Sequence, residues 1–158
     1  IIKSYRKMFQ LPICTAILFN HESLLRSESF IFKKIVSGAD KILNNDRVRL
    51  TVGNITVKRD WGWGPEYMVG CHKILKSKKI DDYIIATGKT VSLKKIIDLC
   101  FKQYDLNWKK YTIVNKRKYR KFEIKENYSN TTKIKKNINW YPKNYYLSVI
   151  KKLMCQKL

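Results

Sequence analysis

Leu11-Pro12-Ile13-Cys14-Thr15-Ala16-Ile17-Leu18-Phe19, followed by Asn20-His21-Glu22-Ser23, is the stretch on which the fold turns. The apolar run is far too short to cross a membrane and has the length of a buried strand, so Leu11–Phe19 is expected to be one. In open α/β sheets, ligands bind just beyond the C-terminal ends of strands. A polar quartet placed directly after an apolar strand is therefore a candidate site by position alone.

Working outward, Ile1–Phe9 reads as a helix, basic on one side, ended by Gln10-Leu11-Pro12. Downstream, Ser29–Leu43 has the spacing of an amphipathic helix, with Phe30, Phe32, Ile35, Val36, Ala39, Ile42 and Leu43 on its apolar face. Arg49–Val57 predicts two short strands around the turn dipeptide Gly53-Asn54. Gly64-Pro65-Glu66 predicts a helix start, with proline in the first turn and an acid at the positive end of the dipole. Tyr83–Ala86 reads as a strand, Ser92 as the cap of a helix to about Gln103, and Tyr111–Val114 as another strand. Helices are expected from Thr131 or Thr132 to Ile138 and from Leu147 to Met154. Strands alternate with helices and no repeat or linker divides the chain, so the class is α/β in one unit.

The net charge is +22, from 34 basic and 12 acidic residues. Such an excess attracts polyanions. The charge is spread along the chain, however, and it is mostly lysine without a basic arm or a zinc-finger or RNA-recognition signature, so nucleic acid is not the expected partner. Cys14, Cys71, Cys100 and Cys155 form no CxxC pair and are expected as buried, reduced thiols of a cytoplasmic protein. His21 and His72 cluster with no other ligand types, so no metal site is expected. No apolar run reaches membrane-spanning length, and no signal peptide opens the chain. Its first residue, Ile1, is not methionine, which points to a fragment or a lost start.

Three motifs carry a resemblance. They are Leu18-Phe19-Asn20-His21-Glu22-Ser23 with Arg26, Gly53-Asn54 with Lys58-Arg59-Asp60-Trp61-Gly62-Trp63, and Asp82-Tyr83-Ile84-Ile85-Ala86-Thr87-Gly88. Their order and spacing resemble the GDP-mannose 4,6-dehydratases, which are extended short-chain dehydrogenases/reductases. Arg117-Lys118-Tyr119-Arg120 with Glu123, Lys133–Ile138, and Trp140 with Pro142 are weaker echoes. The resemblance implies the C-terminal, substrate-binding part of a Rossmann-type fold, missing most of the N-terminal parallel sheet. Residues 1–158 would form the nucleotide-sugar-binding portion, with the NADP-binding portion absent.

Members of that family use NADP to convert GDP-mannose into GDP-4-keto-6-deoxy-mannose, on the route to GDP-fucose. A Tyr-x-x-x-Lys pair, a Ser/Thr-x-Glu motif and a glycine-rich loop do the chemistry. None of these stands in this sequence, so no catalytic residue is expected here and the chain alone is expected to be inactive. A homodimer or homotetramer is implied for the complete enzyme, with the first helix at an interface. The competing expectations are a truncated, non-catalytic remnant and a basic nucleic-acid-binding module.

The resemblance also implies roles for particular residues. His21 and Arg26 match positions that contact NADP, His21 by donating a ring N–H. Asn20 matches an amide that holds the sugar-nucleotide diphosphate, and Lys34 a lysine near the same phosphates. Gly53 lies where the guanine approaches, and Arg59 where a guanidinium can grip the diphosphate through two oxygens. Arg120 matches a phosphate contact and Glu123 an acceptor for ribose hydroxyls, although both sit beside a lysine-rich run that could simply be solvated. Asp60 is expected to orient Arg59 or its loop, and Trp61 and Trp63 to pack. Leu24, Leu25, Ser27 and Lys121 depart from the family pattern, as do Ser129-Asn130-Thr131 and Asn139.

Overall fold

Residues 1–155 are described by the structure, a computed structural model. In chain order it runs α1 (Ile2–Phe9), β1 (Thr15–Leu18), β2 (Asn20–Glu22), α2 (Ile31–Asn44), β3 (Leu50–Val52), β4 (Lys58–Trp63), α3 (Gly64–Leu75) and β5 (Asp82–Ile85). It continues with β6 (Thr90–Ser92), α4 (Leu93–Lys102), α5 (Trp108–Tyr111), β7 (Thr112–Val114), a single 3-10 turn (Lys116–Lys118), β8 (Glu126–Asn127), α6 (Thr132–Ile138) and α7 (Tyr146–Cys155).

Helix α1 ends where Gln10 adopts a left-handed conformation, φ 50°, just ahead of Pro12 as expected. The apolar run after it yields a shorter strand than the sequence predicts. β1 pairs in parallel with β5, Thr15 to Asp82 through Leu18 to Ile85. No second strand pairs with it among the described residues. Ile17 and Leu18 are therefore 48% and 41% exposed rather than buried. The polar quartet is not a loop either. Phe19 donates its N–H to Ile85 O at 3.0 Å, and the chain then turns into β2, which joins a different partner, β4.

Residues 49–57 do not form a hairpin. β3 pairs in parallel with β7, whereas β4 pairs with β2, β6 and β8. Gly53-Asn54 instead opens a connection in which the Asn54 side chain accepts from Thr56 N–H and from Thr56 Oγ at 2.7 Å. The Lys58–Trp63 stretch, expected to hold Arg59 in a loop, is instead the longest strand among the described residues and the centre of its sheet.

Helix α2 buries Phe32, Ile35, Val36, Ala39 and Ile42. It does so against β3, β4, α4 and α7 in the larger core, where each full-sized side chain contributes roughly 1.5–3 kcal/mol. Phe30 and Leu43, expected on that face, are 45% and 47% exposed, because the helix starts one residue after Phe30 and Leu43 falls off the stripe. Ser92 caps α4 as predicted, its hydroxyl accepting from Lys95 N–H. A smaller core joins Tyr67, Ile74, Tyr83, Ile85, Ile134, Ile138 and Trp140 between α3, β5 and α6. Glu66 does more than face the helix dipole. Its carboxylate accepts from the N–H groups of Lys143 and Asn144 and from the Asn144 amide at 2.8 Å, tying the start of α3 to the approach to α7. The cysteines are all free, and only Cys100 is fully buried; Cys155 is exposed.

Candidate functional site

β2 and β4 lie side by side, with Asn20 level with Trp61, His21 with Gly62 and Glu22 with Trp63. Alternate residues of a strand face opposite sides of the sheet. Asn20 and Glu22 therefore share one face with Val57, Arg59 and Trp61, and His21, Asp60 and Gly62 take the other. On the first face lies a cavity of about 400 Å³, which these residues line together with Arg26, Gly53, Arg120 and Glu123. Residues distant in sequence thus converge: Asn20, Arg26, Gly53, Arg59, Arg120 and Glu123, all expected at a site, surround one space.

The electrostatics of that space are cationic, with one buried acid, Glu22, and one half-buried acid, Glu123. Arg59 donates Nη1 to the Lys58 carbonyl at 2.7 Å and makes no ion pair among the described residues. Its remaining donors are available to an anion. The Arg26 guanidinium lies over the Phe30 ring at 3.4 Å. Its Nε is 3.7 Å from Glu22 Oε2, too far for a hydrogen bond. The two face each other as an ion pair, but both atoms are buried without a hydrogen bond, as is Glu123 Oε2. Burial pushes the Glu22 carboxyl up to about 7, although the charges of Arg26 and Lys33 pull the other way.

Other expected residues stand elsewhere. Lys34 does not line the cavity. Its Nζ donates to Thr51 O at 2.8 Å, and burial with the nearby Lys118 charge lowers its pKa. His21 faces the opposite side of the sheet, its ring 5.2 Å from that of Tyr67. His21 Nδ1 is 2.9 Å from Phe19 O. A carbonyl only accepts, so Nδ1 is the donor in that contact. Arg26, grouped with His21 from the sequence, lines the cavity, which His21 does not. Gly53 earns its place through the protein itself: a Cβ there would stand 3.1 Å from Lys118 O.

Asp60 does not orient Arg59. It is 1% exposed and accepts from Thr87 N–H (2.9 Å), Thr87 Oγ (2.7 Å), Gly88 N–H (2.6 Å) and Ser129 Oγ (3.0 Å). That binds the back of β4 to the turn after β5 and to the segment before α6. The turn needs glycine, since Gly88 has φ 77°. Asp60 thereby fixes the strand whose front face presents Arg59 and Trp61.

Glu22, Trp61, Asn54 and Lys118 also line the cavity and were given no ligand role from the sequence. For Glu22 and Trp61 a signal existed. Each stands two residues from an expected contact, Asn20 or Arg59, and period two would have found it had these stretches been read as strands. Trp61 packs as expected, its ring 5.5 Å from that of Phe32, while one edge closes the cavity.

The fold is α/β, and solved structures share it over about half of their own length. Its backbone matches a Pseudomonas aeruginosa structure described as RMD complexed with NADPH, with a TM-score of 0.84 and 15% identity over 96% of this chain and 50% of that one. It also matches dTDP-glucose 4,6-dehydratase from Bacillus anthracis in complex with NAD, with a TM-score of 0.83 and 15% identity over 96% and 46%. The family profile "GDP-mannose 4,6 dehydratase" matches residues 1–153, and the chain belongs to that family. GDP-mannose 4,6 dehydratase 1 of Arabidopsis thaliana is 33% identical over 98% of this chain, and the Homo sapiens GDP-mannose 4,6 dehydratase 26% identical over 98%. The chain covers 43% and 46% of those two proteins, so it spans less than half the length of the relatives it matches.

Proposed function

We propose that this chain is the nucleotide-sugar-binding portion of a GDP-mannose 4,6-dehydratase, with GDP-mannose held in the cavity between β2, β4 and the Gly53 and Arg120 segments. The observation that carries the reading is the convergence of Asn20, Arg59, Arg120 and Glu123 on one cavity. Arg59 and Arg120 take the diphosphate, Asn20 donates to a phosphate oxygen, and Glu123 accepts from ribose hydroxyls. The Arg26 guanidinium, which lines the cavity and is not hydrogen-bonded through Nε, suits a cofactor phosphate at the edge of the same cavity. When bound, NADP supplies the hydride carrier of the reaction; this chain's residues bind and orient. His21 stands on the opposite face of the sheet.

Assembly into a homodimer or homotetramer belongs to the same reading, with α1 at the interface. Its Ile2, Tyr5, Met8 and Phe9 side chains are exposed. A cytoplasmic setting accords with four cysteines that form no disulfide. Among the described residues, no helix is long and apolar enough to cross a membrane.

Isothermal titration with GDP-mannose tests the reading. Arg59→Ala removes a charge-assisted contact of about 1.5–3 kcal/mol, so affinity falls roughly 10- to 100-fold. Equal affinity of parent and variant would refute the assignment. The chain by itself carries out no dehydration, and conversion of GDP-mannose by the purified chain would overturn that part.

A further inference from the structure

The two buried carboxylate oxygens without a hydrogen bond among the described residues, Glu22 Oε2 and Glu123 Oε2, belong to residues that line the cavity. Strand register sets their order. Glu22 is level with Trp63, at the C-terminal end of β4. Glu123 precedes β8, whose Glu126 is level with Lys58 at the other end of β4. Arg59 lies between, and from Arg59 to the level of Glu22 is about 13 Å along the strand. The lining thus runs from carboxyl to guanidinium to the Asn20 amide to carboxyl. A complementary ligand presents hydroxyl donors, then phosphates, then hydroxyl donors again.

Glu123 faces the nucleoside end in the reading above, which leaves Glu22 for the far ring. Arg26 stands 3.7 Å off and is stacked on Phe30, so it does not saturate the Glu22 carboxyl. That buried acid needs a donor, and a hexose hydroxyl is one. A ligand carboxylate in the same place would face the buried Glu22 carboxylate, and like charges so close repel.

We propose that Glu22 sets the sugar specificity of this cavity: its carboxyl accepts a hydrogen bond from a hydroxyl of the hexose and excludes nucleotide sugars that bear a carboxylate on the ring. The proposal rests on the nucleotide-sugar reading.

Calorimetric titration of the full chain with GDP, GDP-mannose and the C6 uronic-acid analogue of GDP-mannose, at about pH 8, tests it. The parent binds GDP-mannose at least about 10-fold tighter than the uronic-acid analogue. Glu22→Gln, whose amide both accepts and donates, keeps GDP affinity within about 2-fold and narrows the preference to under about 3-fold. Equal binding of the two sugars by the parent overturns the proposal, as does an unchanged preference in Glu22→Gln. Loss of GDP binding in that variant would make Glu22 a loop-holding residue and overturn it equally. Failure of the parent to bind GDP at all sinks the nucleotide-sugar reading itself, and this proposal with it.

Discussion

Asp60→Ala is expected to destabilise the chain by about 3–6 kcal/mol, a large part of the stability of an ordinary domain. The figure follows from what the carboxylate holds. It accepts from Thr87 N–H, Thr87 Oγ, Gly88 N–H and Ser129 Oγ, with Thr87 and Ser129 themselves buried. Hydrogen bonds to a charged acceptor are worth about 1.5–3 kcal/mol each, and an orphaned buried donor costs about 1–3 kcal/mol. Thr87 Oγ keeps the Lys89 carbonyl at 3.3 Å as a fallback, and some donors reach water, so the sum falls short of four full bonds. Asp60→Asn loses about half as much. Its amide oxygen still serves Thr87, and Ser129 can turn its hydroxyl to accept, but Gly88 N–H then faces an N–H₂ group. Urea denaturation followed by tryptophan fluorescence measures both variants, with Trp61 and Trp140 as buried reporters. A loss below about 1 kcal/mol for the alanine variant, or equal losses for the two, would refute the account of Asp60 as the tie behind β4.

Three further outcomes follow from the same structure. Glu22 titrates at about 7 in the fold against an ordinary 4.5, so the folded state holds its proton more tightly. Stability from this group is full below pH 4.5, falls by up to ~3 kcal/mol as pH rises through 7 and then levels. Denaturation midpoints from pH 5 to 8 check this, and the same slope in Glu22→Gln would rule the residue out as its source. Gly62→Ala places a methyl within 2.5 Å of the buried Tyr67 ring, and overpacking costs about 1–3 kcal/mol; a melting temperature within a degree of the parent would contradict it. Finally, among the described residues β1 has one unpaired edge, and its Ile17 and Leu18 are exposed, so the chain is expected to self-associate. Sedimentation velocity should show Ile17→Lys shifting the population toward monomer, and a parent that is monomeric throughout refutes the idea.

Much of the helical structure was legible because its signals are local. Ser92 caps α4 through its own hydroxyl, Pro65 opens α3, and the 3.6-residue spacing of Phe32, Ile35, Val36, Ala39 and Ile42 marks the buried stripe of α2. The short strands were read less well. β6 and β8 span only Thr90–Ser92 and Glu126–Asn127, and they exist through pairing with β4 rather than through any pattern of their own. The site fared better as a set of residues than as a geometry. Asn20, Arg59, Arg120 and Glu123 were named from motif resemblance, whereas Lys34 stands outside the cavity because its amine is taken by Thr51 O.

The sequence by itself determined the α/β class, the presence of the longer helices and the resemblance to a family, since capping, periodicity and motif spacing are properties of neighbours along the chain. Only the tertiary structure decided which way each strand residue faces and with what. Strand pairing is chosen by distant partners, and sliding it by one residue exchanges the two faces of the sheet. That is why Asn20 and Glu22 look into the cavity with Arg59 while His21 and Asp60, one residue away, look out of it.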